Sequence, residues 1–130
     1  MPTPEKEIEY LILDWLNSIV GCFAFKINTT GIYDPTKRTF RKNMNPHVHR
    51  GTCDIIGEYK GRFFAIEVKA GYQKPNDNQH LFMRRIRANG GIAFWINDFE
   101  KCKKEFIAHF QDIRFERDEC GHEILFNEVL

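Results

Sequence analysis

The 130 residues hold 19 Lys and Arg against 18 Asp and Glu, so the formal net charge is +1 and overall charge points to no partner; 42% are hydrophobic, which is ordinary for one globular core and too little chain for two. No apolar run approaches the roughly 20 residues that cross a bilayer, and the acidic, polar start "MPTPEKE" is not a secretory signal. Cys22, Cys53, Cys102 and Cys120 lack a short repeated spacing, which excludes a disulfide framework or a Cys-rich zinc site and fits a reducing cytoplasm, and the pair His47 and His49 is too few ligands for a structural zinc.

In chain order, Thr3 reads as an N-cap with Pro4 at the first helical position. Ile8, Leu11, Ile12, Trp15, Leu16 and Ile19 then recur at helical spacing up to Gly21. "CFAFKIN" follows as a strand. Residues 29–50 mix Thr, Gly, Pro and Asn with cations and predict a long loop or irregular hairpin. "CDIIGEY" and "RFFAIEVK" flank Lys60-Gly61 and predict an antiparallel hairpin. After the connection "AGYQKPND", a helix capped by Asn76 or Asp77 runs to about Asn89 and stops at Gly90-Gly91. "IAFWI" is another strand, and Asp98 caps a last helix with Phe99, Cys102, Phe106 and Phe110 on one face. The tail "IRFERDECGHEILF" reads as a hairpin turning near Cys120-Gly121. The expected order is helix, three strands, helix, strand, helix, in one domain spanning 1–130, with a core at about 3–111 and an acidic extension at 112–130.

The strand "RFFAIEVK" is apolar enough to be interior, yet it carries Glu67 and Lys69. A two-residue loop at Lys60-Gly61 makes paired residue numbers sum to 121, which sets Asp54 opposite Glu67. Alternation puts Phe63, Ala65, Glu67 and Lys69 on that face and Phe64, Ile66 and Val68 on the other. Facing carboxylates repel. A divalent cation relieves this, and hard oxygen donors suit Mg²⁺ or Mn²⁺, leaving Lys69 to position or deprotonate a water. An E-x-K sequence alone fits equally a Glu67–Lys69 ion pair at a strand end beside a solvated Asp54.

An Asp followed by E-x-K on the next strand, set between helices, resembles the PD-(D/E)xK nuclease superfamily. Closer still, "EKEIEYLILDWL", "GTCDIIG", "FFAIEVKAG" and "NQHLFMRRIRANGGIAFWI" together resemble a stand-alone, phage-type member of the VRR-NUC (virus-type replication-repair nuclease) family, over residues 3–97. The resemblance implies an α/β fold with a restriction-endonuclease-like mixed sheet flanked by helices. It implies Mg²⁺ (or Mn²⁺) held by Asp54, Glu67 and the Val68 carbonyl, with Lys69 as catalytic lysine and Gln79 beside the site. The acidic residue of the first helix is Glu5 or Glu9, with Glu5 fitting the spacing better. Cys53 stands where family members often carry proline, a change that shapes the chain and leaves the chemistry intact.

The activity so implied is metal-dependent endonucleolytic cleavage of DNA leaving a 5′-phosphate. Its preference would be for branched structures such as Holliday junctions, and two cuts favour a homodimer in a bacterial or phage-infected cytoplasm. A non-catalytic nucleic-acid-binding module on the same fold is the alternative; a sequence-specific restriction enzyme fits less well, since little chain is left for a base-reading domain. Between Asp34 and Asp54 no carboxylate accompanies Lys37, Arg38, Arg41, Lys42 and Arg50, while the chain after Gln111 is acidic. That asymmetry marks either a phosphate-binding side, with His49 and Arg50 as further contacts, or a solvated loop.

Overall fold

The computed structural model describes residues 3–27, 32–34, 36, 39–41, 46–47, 49–110, 113–117 and 119–127. The chain runs α1 (Pro4–Asn17), β1 (Cys22–Lys26), β2 (Ile32–Asp34), β3 (Thr39–Arg41), β4 (Ile55–Tyr59), β5 (Arg62–Val68), α2 (Asp77–Ala88), β6 (Ile92–Ile96), α3 (Phe99–Ala108), β7 (Ile113–Arg117) and β8 (Glu123–Asn127). The predicted order holds, with the 29–50 segment contributing the β2–β3 hairpin and the tail the β7–β8 hairpin.

Four strands form the central mixed sheet in the order β1-β4-β5-β6; the first two pairings are antiparallel and β5–β6 is parallel. Lys60 and Gly61 both have positive φ (48° and 85°), the backbone that lets a two-residue turn follow the strand twist. Ile55 accordingly pairs with Ile66 and Tyr59 with Arg62, the register that the turn predicts.

Local sequence explains the helix ends. Thr3 accepts a hydrogen bond from the Lys6 amide at 3.3 Å, and Asn76 and Gln79 form a reciprocal capping box on α2. The spacing of apolar residues carries α1 on to Ile19, but the helix stops at Asn17. The Asn17 side chain brackets Ala24 instead, accepting from its amide at 2.9 Å and donating to its carbonyl at 3.0 Å. That pair ties the helix end to β1, and Ile19 enters the core from beyond the helix, 2% exposed.

The sheet is covered on both sides. Ile12 and Leu16 of α1 and Cys102 and Phe106 of α3 pack with Phe64, Ile66, Val68, Phe94 and Ile96 on one face. Phe106 is the centre of an aromatic group, its ring 5.6 Å from Trp15, 5.2 Å from Phe64 and 4.9 Å from Phe110. The other face is smaller: Cys53, Ala65, Met83 and Ala93, with Phe82 and Ile86 of α2 partly buried against them. Cys22, Cys53 and Cys102 are free thiols.

Candidate active site

The charged residues gather at one end of the α2-covered face. Asp54 stands one residue before β4, where the pairing continues past the strand: the Ile27 amide donates to the Asp54 carbonyl at 2.7 Å. Its side chain reaches across to β5, where Oδ2 accepts from the Val68 amide at 3.1 Å. That bond fixes the carboxylate beside Glu67.

Glu67 is 1% exposed. Its Oε1 accepts from Gln79 Nε2 at 2.9 Å and lies 3.4 Å from Lys69 Nζ. Its Oε2 is buried, and among the described residues no hydrogen-bond donor reaches it. Burial, reinforced by the Asp54 charge and opposed by Lys69, pushes the Glu67 carboxyl up to about 8. A buried carboxylate with one oxygen unsatisfied is costly unless a proton or a cation meets it.

Helix α1 brings two more carboxylates. One oxygen each from Glu5, Glu9 and Asp54 lies within 4.8 Å of the others. Sequence reasoning leaves Glu5 and Glu9 as alternatives; four residues apart on one helix, they share a face and both arrive. Burial and the Asp54 charge raise the Glu5 carboxyl, while Glu9, 4% exposed, is paired with Lys26 Nζ at 2.7 Å. Lys26 is a site residue that sequence reasoning does not single out. Its position at the end of β1, one residue before Ile27 meets Asp54, is the available signal. An open cleft of about 820 Å³ leads to this corner, lined by Glu5, Glu9, Lys26, Asp54 and Gln73.

The structure thus brings together Asp54, Glu67, Lys69, Gln79 and Glu5, with the Val68 backbone bonded to Asp54. Among the residues expected to meet phosphate, Lys37, Arg38 and Lys42 lie outside the described residues, and Arg41 ends β3. Arg50 is exposed. His49 is half-buried, its Nδ1 bonded to the Arg50 carbonyl and its ring edge-on to Phe82 at 5.2 Å. Helix α2 also exposes Arg84 and Arg85, cations whose exposure follows from the buried Met83 and half-buried Ile86 on its other side.

A family model described as Recombination protein U (RecU) matches residues 26–123. No curated protein matches the chain. A solved structure described as a VRR_NUC domain superposes with a TM-score of 0.60 at 17% identity, covering 84% of this chain and all of that one. The mixed sheet with its flanking helices is therefore the restriction-endonuclease-like fold that the sequence resemblance implies.

Proposed function

The chain belongs to the Recombination protein U family, and from that premise we propose that it is a structure-specific DNA endonuclease of the PD-(D/E)xK type, acting on branched DNA such as Holliday junctions. The observation that carries this reading is the Oε2 of buried Glu67, unsatisfied among the described residues, beside an Asp54 that lines a cleft with two further carboxylates. The donors are hard oxygens, and they fit Mg²⁺, with Mn²⁺ able to substitute. Asp54, Glu67 and the Val68 carbonyl would hold the ion, with Glu5 and Glu9 closing the α1 side.

A bound divalent cation would supply positive charge to the phosphate as its phosphorus becomes five-coordinate and make the attacking water more acidic. The remaining work belongs to the chain. Gln79 aims the Glu67 carboxylate through its 2.9 Å hydrogen bond. Lys69, its side chain 15% exposed beside Glu67, orients the water and, as the neutral amine, takes up the proton that it releases. Lys26 neutralises Glu9, which lowers the negative charge that an incoming phosphate meets. Arg50, Arg84 and Arg85 offer exposed cations for the flanking backbone. Two such centres are needed to cut a four-way junction symmetrically, which favours a homodimer.

The test is a cleavage panel of duplex, flap, fork and four-way junction DNA with Mg²⁺ or Mn²⁺. Preferential cutting of branched substrates, lost in chelator, is expected. Binding to all four without cleavage would leave only a recognition module.

A further inference from the structure

Residues 49–52 form the turn that leads through Cys53 into Asp54. The turn lies against the first turn of α2 with no side chain between the two backbones, and Gly51 is the point of contact. Its φ is +79°, the left-handed region where glycine is at ease. A Cβ on Gly51 would stand 2.4 Å from the Asn78 carbonyl carbon, 2.5 Å from the Gln79 amide nitrogen and 2.6 Å from the Asn78 carbonyl oxygen. All three are backbone atoms, so no side-chain rotation makes room.

The peptide that Gly51 touches is the one that carries Gln79. The Gln79 amide donates to Asn76 Oδ1, Gln79 Oε1 accepts from the Asn76 amide, and Nε2 donates to Glu67 Oε1, each at 2.9 Å. Both ends of this side chain are thus engaged, one by the helix cap and the other by the carboxylate. The turn is braced as well. Thr52 Oγ1 donates to the His49 carbonyl at 2.9 Å, and the His49 ring packs on Phe82, one helical turn beyond Asn78.

We infer that Gly51 is a positioning residue for the metal-binding carboxylate: it lets the 49–52 turn seat on the Asn78–Gln79 peptide and so fixes the amide that aims Glu67. The inference rests on the nuclease reading and extends the site to a residue that touches neither metal nor DNA. Any side chain at this position must push the first turn of α2 away by more than half an ångström, because real Cβ contacts lie beyond 3.0 Å. A shift of that size is enough to lengthen or redirect the hydrogen bond on Glu67.

The experiment is a double-mutant cycle of wild type, Gly51→Ala, Gln79→Ala and the double variant. Each is read by the Mn²⁺ dissociation constant, from the metal-induced rise in Tm, and by the metal-free Tm. Gly51→Ala is expected to weaken Mn²⁺ binding about tenfold, the low end of the effect of orienting groups behind metal ligands. In the Gln79→Ala background the same change should have no further effect on Mn²⁺ binding, while it still lowers the metal-free Tm. A glycine needed only for packing would lower Tm and leave the Mn²⁺ constant untouched, or weaken binding equally in both backgrounds; either result overturns the inference.

Should Gly51→Ala fail to fold, hydrogen exchange of the wild type with and without Mg²⁺ decides. Amides of 50–52 and 77–80 should slow together, and slowing confined to 67–69 overturns the inference. A wild-type protein with no response to Mn²⁺ overturns the nuclease reading too, so the two failures are told apart.

Discussion

On one face of β5, Phe64, Ile66 and Val68 are fully buried beneath α1 and α3, packed among large apolar side chains. On the other, Phe63 is 39% exposed, Ala65 is small and fully buried, and Glu67 and Lys69 complete the row. Both faces belong to one strand of seven residues and the lysine that follows it. The first face is built for cohesion. The second has small residues, the single helix α2 above it and one end open to a cleft, so charged groups can sit close together there. The difference shows how one strand can anchor a core and hold a strained cluster of like charges, provided that the first offsets the second.

The largest expected effect lies on the cohesive face. Phe106→Ala should lower unfolding free energy by about 3–5 kcal/mol, because it empties the centre of the aromatic group. Denaturant melts would measure it, and the Mn²⁺ response of the folded fraction should persist. A loss under about 1 kcal/mol would mean that cohesion is not concentrated there.

The next effect is on the charged face. Lys69→Ala should slow cleavage about 10²- to 10⁴-fold, the range of a missing proton-transfer group, with little change in Tm or Mn²⁺ affinity. Wild-type turnover by this variant would remove Lys69 from the chemistry and leave it as the ion-pair partner of Glu67.

A third prediction sets the two faces against each other through pH. The Glu67 carboxyl titrates at about 8 in the folded protein, against 4.5 for an unperturbed glutamate. With the folded value the higher one, the stability from this group is complete below about pH 4.5 and is lost as pH rises to about 8. The metal-free Tm should therefore fall across that window, and Glu67→Gln should flatten the fall. Asp54→Asn should raise the metal-free Tm above about pH 8, where Glu67 is ionised and the two carboxylates repel, and abolish the Mn²⁺ shift. A full Mn²⁺ shift in Asp54→Asn would place the metal elsewhere.

The smallest effect belongs to the outer surface of α2. Replacing Arg84 and Arg85 by Ala should flatten the salt dependence of DNA binding, by about 1 in the log–log slope for each phosphate no longer neutralised. An unchanged slope would leave these arginines as ordinary solvated residues of the helix.

How far these features can be read from sequence depends on how local their causes are. The Lys60-Gly61 turn sets the β4–β5 register by itself, so the opposition of Asp54 and Glu67 is legible without any long-range contact. The cap of α2 is legible for the same reason: Asn76 and Gln79 are three residues apart. The end of α1 is not, because Asn17 answers to Ala24 across a turn. The Glu9–Lys26 pair joins a helix to a strand edge and leaves no mark in residue spacing. Gly51 looks like any loop glycine until the helix lies against it. The cationic segment at 37–42, conspicuous in the sequence, falls largely outside the described residues.

The site draws on residues from Glu5 to Gln79, and its parts are brought together over very different stretches of chain. The β4–β5 hairpin closes locally, on a timescale of about 1–10 μs. Its parallel partner β6 must wait for the whole α2 crossover to dock, and α1 must find its place across the sheet. The two carboxylates therefore meet early, before Gln79 and Glu5 are in position. A partly folded chain would hold this hairpin, with Asp54, Glu58 and Glu67 balanced by Lys60, Arg62 and Lys69, and the complete set of site residues would arrive only with the finished fold.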